Sequence, residues 1–192
     1  GVSVWRDAVE PIGVAEAARV IKGSGLKVPA MVGGGFFPAV DAGDRQRAID
    51  ANRKYIDEAA ELGAEMLVLT CGAVPGMPMA EGRRYVADAI GALLPQAVDR
   101  QVRLAIEPMH PMYAADQSCI NRMRDAREIC EQLRSRMAGI ALDAYHVWWD
   151  PDLEAEIALA GREHRLFGLH LCDWRLEMRD LVNDRGLMGD GC

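Results

Sequence analysis

Residues 102–110 read VRLAIEPMH: an apolar run from Val102 to Ile106, followed at once by Glu107, then by Pro108 and His110. A run this short, with apolar residues in succession rather than alternating, suits a strand buried on both faces. Similar runs stand at Leu26–Val32, Glu65–Thr70, Gly139–Leu142 and Leu166–Leu171; in chain order the five begin 39, 37, 37 and 27 residues apart, and Val2–Trp5 adds a sixth. Helical patterns lie between them. The first spans about Gly13–Lys22 and is stopped by Gly23-Ser24-Gly25. Ile49, Ile56 and Ala60 mark a second, and Tyr85, Ile90, Leu93 and Ala97 a third, which Pro95 is expected to kink. A fourth runs from about Asn121 to Arg136 with Met123, Ala126, Ile129, Cys130 and Leu133 inward. Strand and helix alternating at this spacing build a parallel sheet from βαβ units, and both a doubly wound sheet and a (β/α)8 barrel satisfy the pattern. No G-x-G-x-x-G follows an early strand, which removes the usual dinucleotide fingerprint. Gly33-Gly34-Gly35 is followed by Phe36-Phe37-Pro38 instead of a helix start, so the triplet reads as a loop near a ligand or as a plain turn.

The positions of the titratable residues separate the two folds. Glu107 follows one strand, Asp143 follows the next with His146 three residues on, and His170 ends the run from Leu166, with Asp173 and Arg175 after it. In a parallel barrel all these strand ends open on one face, the face that carries active sites. An acidic residue after a strand is often only a turn former, and a lone histidine in an apolar run is more often packed than functional. Together, however, two carboxylates and an imidazole at one end of one sheet are costly to bury unless paired or bound to a cation. Two carboxylate oxygens and an imidazole nitrogen form a normal donor set for Mn, Co, Mg or Zn. His110, in a proline-rich loop, and His164, in the charged REHR stretch, read as structural.

Composition narrows the function classes. The chain has 192 residues, half of them apolar, and 22 Lys and Arg against 29 Asp and Glu give a net charge of -7. A negative surface lacks the electrostatic footprint of a nucleic-acid binder. No apolar run approaches the length of a membrane span, and GVSVWRDAVE lacks the regions of a signal peptide, so a cytoplasmic protein with neither membrane nor nucleic-acid partners is expected. The five cysteines form no C-x-x-C pair and read as reduced, mostly structural thiols.

The runs LAIEPMHPMY, GIALDAYHVWWDP and LFGLHLCDWR resemble the sugar phosphate isomerase/epimerase group of the xylose isomerase-like TIM barrels, also grouped as AP endonuclease family 2. The resemblance extends from SVWRD to DRGLMGDG and is specific at the three strand ends. It implies a (β/α)8 barrel with one divalent metal (Mn, Co, Mg or Zn) held by a Glu, an Asp, a His and a second Glu. Glu107 matches the first metal-binding Glu and is also the candidate catalytic base; Asp143 matches the Asp and His170 the His. His146 looks like a substrate-oxygen contact, and Arg175 like the arginine that steadies negative charge on the substrate. The implied activity is isomerisation or epimerisation of a ketose or related polyol ketone through an enediolate, with a small-molecule carbohydrate as partner and homo-oligomerisation left open. Trp5, Phe36 and Phe37 would wall the pocket or simply pack.

The second Glu of the family comes from the last barrel strand, which has no counterpart among these residues. Counting the Val2 run gives six strands, so an incomplete barrel of about six βα units is expected, a single domain over 1–192 without the first and last strands. A typical barrel has about 250 residues. With three ligands, such a chain is expected to bind metal weakly and to show little activity. Three other readings stand beside the isomerase: a keto-polyol dehydratase on the same scaffold, an endonuclease-IV-like metal phosphodiesterase, and a non-catalytic ligand-binding relic. The phosphodiesterase is disfavoured because Asp184-Arg185-Gly186 replaces its Asp-Arg-His motif and the early loops offer no histidine.

Overall fold

The structure of the protein, a computed structural model, describes all 192 residues. Six parallel strands form one sheet in sequence order: β1 (Val4–Trp5), β2 (Met31–Gly35), β3 (Met66–Thr70), β4 (Arg103–Ile106), β5 (Ala138–Asp143) and β6 (Leu166–His170). The connections are helical: α1 (Arg6–Val9) and α2 (Val14–Gly23), α3 (Ala42–Leu62), α4 (Met79–Arg100), α5 (Met123–Leu133), then α6 (Ala144–Val147) and α7 (Leu153–Arg162). The sheet curls into part of a TIM barrel, with β1 and β6 as its unpaired edges. The six strands and the four helices read from the periodicity fall where it puts them, with boundaries moved by a few residues; α1, α6 and α7 were not among them. α4 continues through Pro95. No helix is long and apolar enough to cross a membrane.

Period two along the strands explains why both sheet faces are apolar yet different. Leu67, Leu69, Leu104, Ile106, Ile140 and Leu142 point outward into a core of 32 buried residues shared with the helices. The alternate residues Val32, Met66, Val68, Ala105 and Ala141 pack with Ala30 and Phe167 inside the curl. The inner residues are mostly small, as a tightly curved interior requires. The buried Cys119 and Cys130 belong to the outer core, and burial pushes their thiols up to about 11 and about 12. All five cysteines are free.

Gly33-Gly34-Gly35 is neither loop nor turn: it completes β2, with an irregularity in pairing between Val32 and Gly34. Gly33 and Gly35 adopt φ of 113° and 110°, and a Cβ on Gly35 would lie 1.9 Å from the Thr70 carbonyl oxygen. Glycine permits this backbone and this approach to β3. Buried Asn52 on α3 secures the distorted end. Its Oδ1 accepts from the Gly35 amide at 2.7 Å, and its Nδ2 donates to the Gly35 carbonyl at 2.8 Å. Of the aromatic residues flanking these strands, Phe37 is core, whereas Trp5 and Phe36 are exposed.

Replacing Gly35 with Ala should destabilise the protein by about 3 kcal/mol or more, since strain and backbone overlap add. Gly25→Ala, at φ 73° in open space, should cost only about 1 kcal/mol. Urea unfolding of both variants reads the difference, and equal losses would show that close packing against Thr70 is not what requires Gly35.

Candidate metal and active site

The inner-face rows end in polar residues. One pleat beyond Ala105 comes Glu107, beyond Ala141 comes Asp143, and beyond Gly168 comes His170. Asp143 and His170 are direct neighbours in the β5–β6 register. Donor atoms of Glu107, Asp143 and His170 all lie within 4.8 Å of one another. Both carboxylates are buried and the imidazole is partly so. His170 Nδ1 lies 3.2 Å from Glu107 Oε1, and that contact raises the imidazole above its ordinary pKa.

Asp143 also begins the next helix: its Oδ1 accepts from the Tyr145 amide at 2.9 Å, as an N-cap does. This cap carries His146 into the site. His146 is 2% exposed, with Nε2 3.9 Å from Asp143 Oδ2 and Nδ1 without any hydrogen-bond partner. Burial lowers its pKa, so the ring is neutral at neutral pH and can donate or accept. A buried imidazole nitrogen left unpaired is uncommon and points to a missing partner such as a ligand oxygen.

Of the arginines near the end of the chain, Arg175, which the sequence singles out, makes its ion pairs away from the three-residue cluster. Arg175 pairs with Asp184 at 3.5 Å and with Asp190 at 3.6 Å, within the segment that follows β6. Arg185 reaches the cluster instead: its Nη1 is 3.0 Å from Asp143 Oδ2, and its guanidinium lies 4.1 Å from the centre of the Tyr145 ring. It is delivered by a short antiparallel ladder, β7 (Asp173–Trp174) with β8 (Arg185–Gly186). Asp173 anchors the far side of the ladder by accepting from the Gly189 and Gly191 amides. The Leu181 carbonyl accepts from both the Tyr113 and Tyr145 hydroxyls, so the chain between β7 and β8 is tied across the mouth of the sheet. The DRG triplet was the one visible signal for Arg185.

Behind the site, Asp150 holds the β5–α7 connection to α5. Its side chain is fully buried; Oδ1 pairs with Arg122 at 3.0 Å and Oδ2 accepts from the Met123 amide at 3.1 Å. Arg122 also reaches Asp152 at 2.7 Å.

A family model described as "Xylose isomerase-like TIM barrel" matches residues 3–192. The chain belongs to the xylose isomerase-like TIM barrel family. Among solved structures, protein SMc04130 from Sinorhizobium meliloti 1021 is 50% identical, with a TM-score of 0.92 over 98% of this chain and 69% of that one. The 3-keto-D-glucoside 4-epimerase YcjR from E. coli is 20% identical, with a TM-score of 0.71 over 83% of this chain and 64% of that one. The IOLI protein, whose structure has a bound zinc atom, is 19% identical, with a TM-score of 0.80 over 99% of this chain and 69% of that one. At such identities the last two show the fold alone. No curated protein matches the chain by sequence.

Asp150→Ala should destabilise this family member by about 3 kcal/mol, the usual scale for breaking one side of a buried ion pair. The loss is read as a lower midpoint in urea unfolding. A change below about 1 kcal/mol would show that the Arg122–Asp150 pair does not fasten the connection that carries His146.

Proposed function

We propose that the protein is a divalent-metal-dependent isomerase or epimerase of a ketose or related polyol ketone, with Glu107, Asp143 and His170 as metal ligands. The observation that carries this reading is the convergence of those three donor sets at the mouth of a parallel sheet, beside a buried His146 Nδ1 with no partner. The donor set fits Mn, Co, Mg or Zn. Asp143 is paired with Arg185 and Glu107 with His170, contacts that compensate two buried carboxylates in the absence of an ion.

When bound, a divalent ion supplies Lewis-acid polarisation of the substrate carbonyl. Glu107 takes the proton from the carbon next to the carbonyl and returns it to the former carbonyl carbon for isomerisation; for epimerisation it keeps that proton while a second, protonated group delivers another to the opposite face of the same carbon. His146, neutral and fixed by the Asp143-capped turn, binds a substrate hydroxyl through Nδ1. Arg185 holds negative charge developing on a substrate oxygen, the role the sequence assigned to Arg175. The ring of Tyr145 beneath the guanidinium limits its movement.

The deciding experiment follows exchange of substrate C–H with deuterium from solvent, by NMR, across a panel of ketoses and keto-polyols with Mn2+ present. The wild-type protein should exchange at least one of them, and Glu107→Gln should slow that exchange by at least about 10²-fold, with Mn2+ occupancy checked by electron paramagnetic resonance. Exchange that survives in a metal-loaded Glu107→Gln protein would remove Glu107 as the base.

A further inference from the structure

Asp143 already faces a cation: Arg185 Nη1 lies 3.0 Å from its Oδ2. The other oxygen of this buried carboxylate is taken by the Tyr145 amide. Asp143 is also one of the three residues whose donor atoms lie within 4.8 Å of one another. Glu107 and Asp143 together carry two negative charges, which one divalent ion balances by itself. His170 as a ligand adds a lone pair and no charge. A guanidinium kept on Asp143 beside such an ion leaves the cluster with positive charge in excess, and like charges that close, in partly buried surroundings, repel.

The contacts around Arg185 let it give way. Its side chain is partly exposed. It stands on the short β7–β8 ladder, and the segment from Asp173 to Cys192 makes no other hydrogen bond or ion pair with Glu107, Asp143 or His170. That segment is held by groups outside the cluster: the Tyr113 and Tyr145 hydroxyls on the Leu181 carbonyl, and Asp173 on the Gly189 and Gly191 amides. The guanidinium itself has three further contacts. They are the Tyr145 ring at 4.1 Å, the Cys172 sulfur at 3.7 Å and, through Nε, the Val182 carbonyl at 3.4 Å. Leaving Asp143 therefore keeps Arg185 at the mouth and leaves the segment tied.

We propose that Arg185 is a placeholder cation: it neutralises Asp143 until a divalent ion binds, competes with that ion for the carboxylate, and is driven off it when the ion enters. This deepens the isomerase reading of the site and rests on it. The released guanidinium is then the group available to a substrate oxygen. The opposite arrangement is a clamp, in which Arg185 orients Asp143 for the ion and both share the carboxylate. The two differ in sign. Removing a competitor strengthens metal binding, whereas removing a clamp weakens it.

Titration with Mn2+, followed by the electron paramagnetic resonance signal of the free ion, reads that sign. Arg185→Met keeps an apolar stem against Tyr145 and should bind Mn2+ at least about tenfold more tightly than the wild-type protein. Arg185→Lys keeps the charge and should stay within about threefold of wild type. Asp143→Asn, alone or with Arg185→Met, should remove the binding, which assigns the ion to this site. Urea unfolding reads the same coupling from the other side. Without metal, Arg185→Met should unfold at lower urea than wild type, because Asp143 is left unpaired, and saturating Mn2+ should remove most of the difference. A merely misfolded variant would not recover in this way. Equal or weaker binding by Arg185→Met, still dependent on Asp143, would overturn the placeholder and leave the metal site standing. A gain of the same size in Arg185→Lys would overturn it too, since charge would not be the cause. Mn2+ binding that is indifferent to Asp143→Asn, or absent from wild type and Arg185→Met alike, would overturn the metal reading and the placeholder with it.

Discussion

The Asp143 carboxylate is where strand, helix, cross-mouth segment and site meet. It is 4% exposed, and a buried carboxylate is tolerated only with partners. Each oxygen finds its own: Oδ1 takes the Tyr145 amide, and Oδ2 faces Arg185, with His146 at 3.9 Å. The first contact turns the chain out of β5 into α6, which sets both His146 and Tyr145. Tyr145 then fixes the Leu181 carbonyl with its hydroxyl and the Arg185 guanidinium with its ring. One side chain thus links the end of β5, the start of α6 and Arg185.

The sheet and its three terminal polar residues were legible because both obey period two. An apolar strand cannot keep an acid or an imidazole in its middle, so these residues appear where the inner row ends, as Glu107, Asp143 and His170 do. The Gly33–Gly35 end of β2 was not legible. Three glycines ordinarily signal a turn, and only the nearness of the Thr70 backbone and the double hydrogen bond from Asn52 turn the same residues into a strand. Arg185 was hidden for a related reason. It sits on a two-residue ladder with no hydropathy pattern of its own, held by contacts from Asp173, Tyr113 and Tyr145 that are remote in sequence. Arg175 stands closer to His170 along the chain, but its guanidinium faces Asp184 and Asp190, at 3.5 and 3.6 Å.

The aromatic side of the mouth is organised by a different force from the acidic side. Asp150, Arg122 and Asp152 pin the connection after α6 to the start of α5 by charge-assisted hydrogen bonds, which are directional and set position. The rings of His110, Trp148 and Trp174 then fill the remaining space by stacking, which tolerates small shifts. Position is therefore fixed behind the loop and adaptability is kept at its surface.

Beneath the cluster the interior is made of residues chosen by size. Gly168 lies directly under His170 in the inner row, and a Cβ there would meet the Met66 methyl group at 2.6 Å. Met66 can occupy that space only because position 168 has no side chain, and its flexible thioether fills the floor without a cavity. A side chain at 168 would have to displace the flexible end of Met66, beside the strand that holds His170 in register with Asp143. The space beneath His170 is therefore shaped by an apolar contact, one methionine methyl against one glycine, while the pairing of β5 with β6 sets His170 beside Asp143.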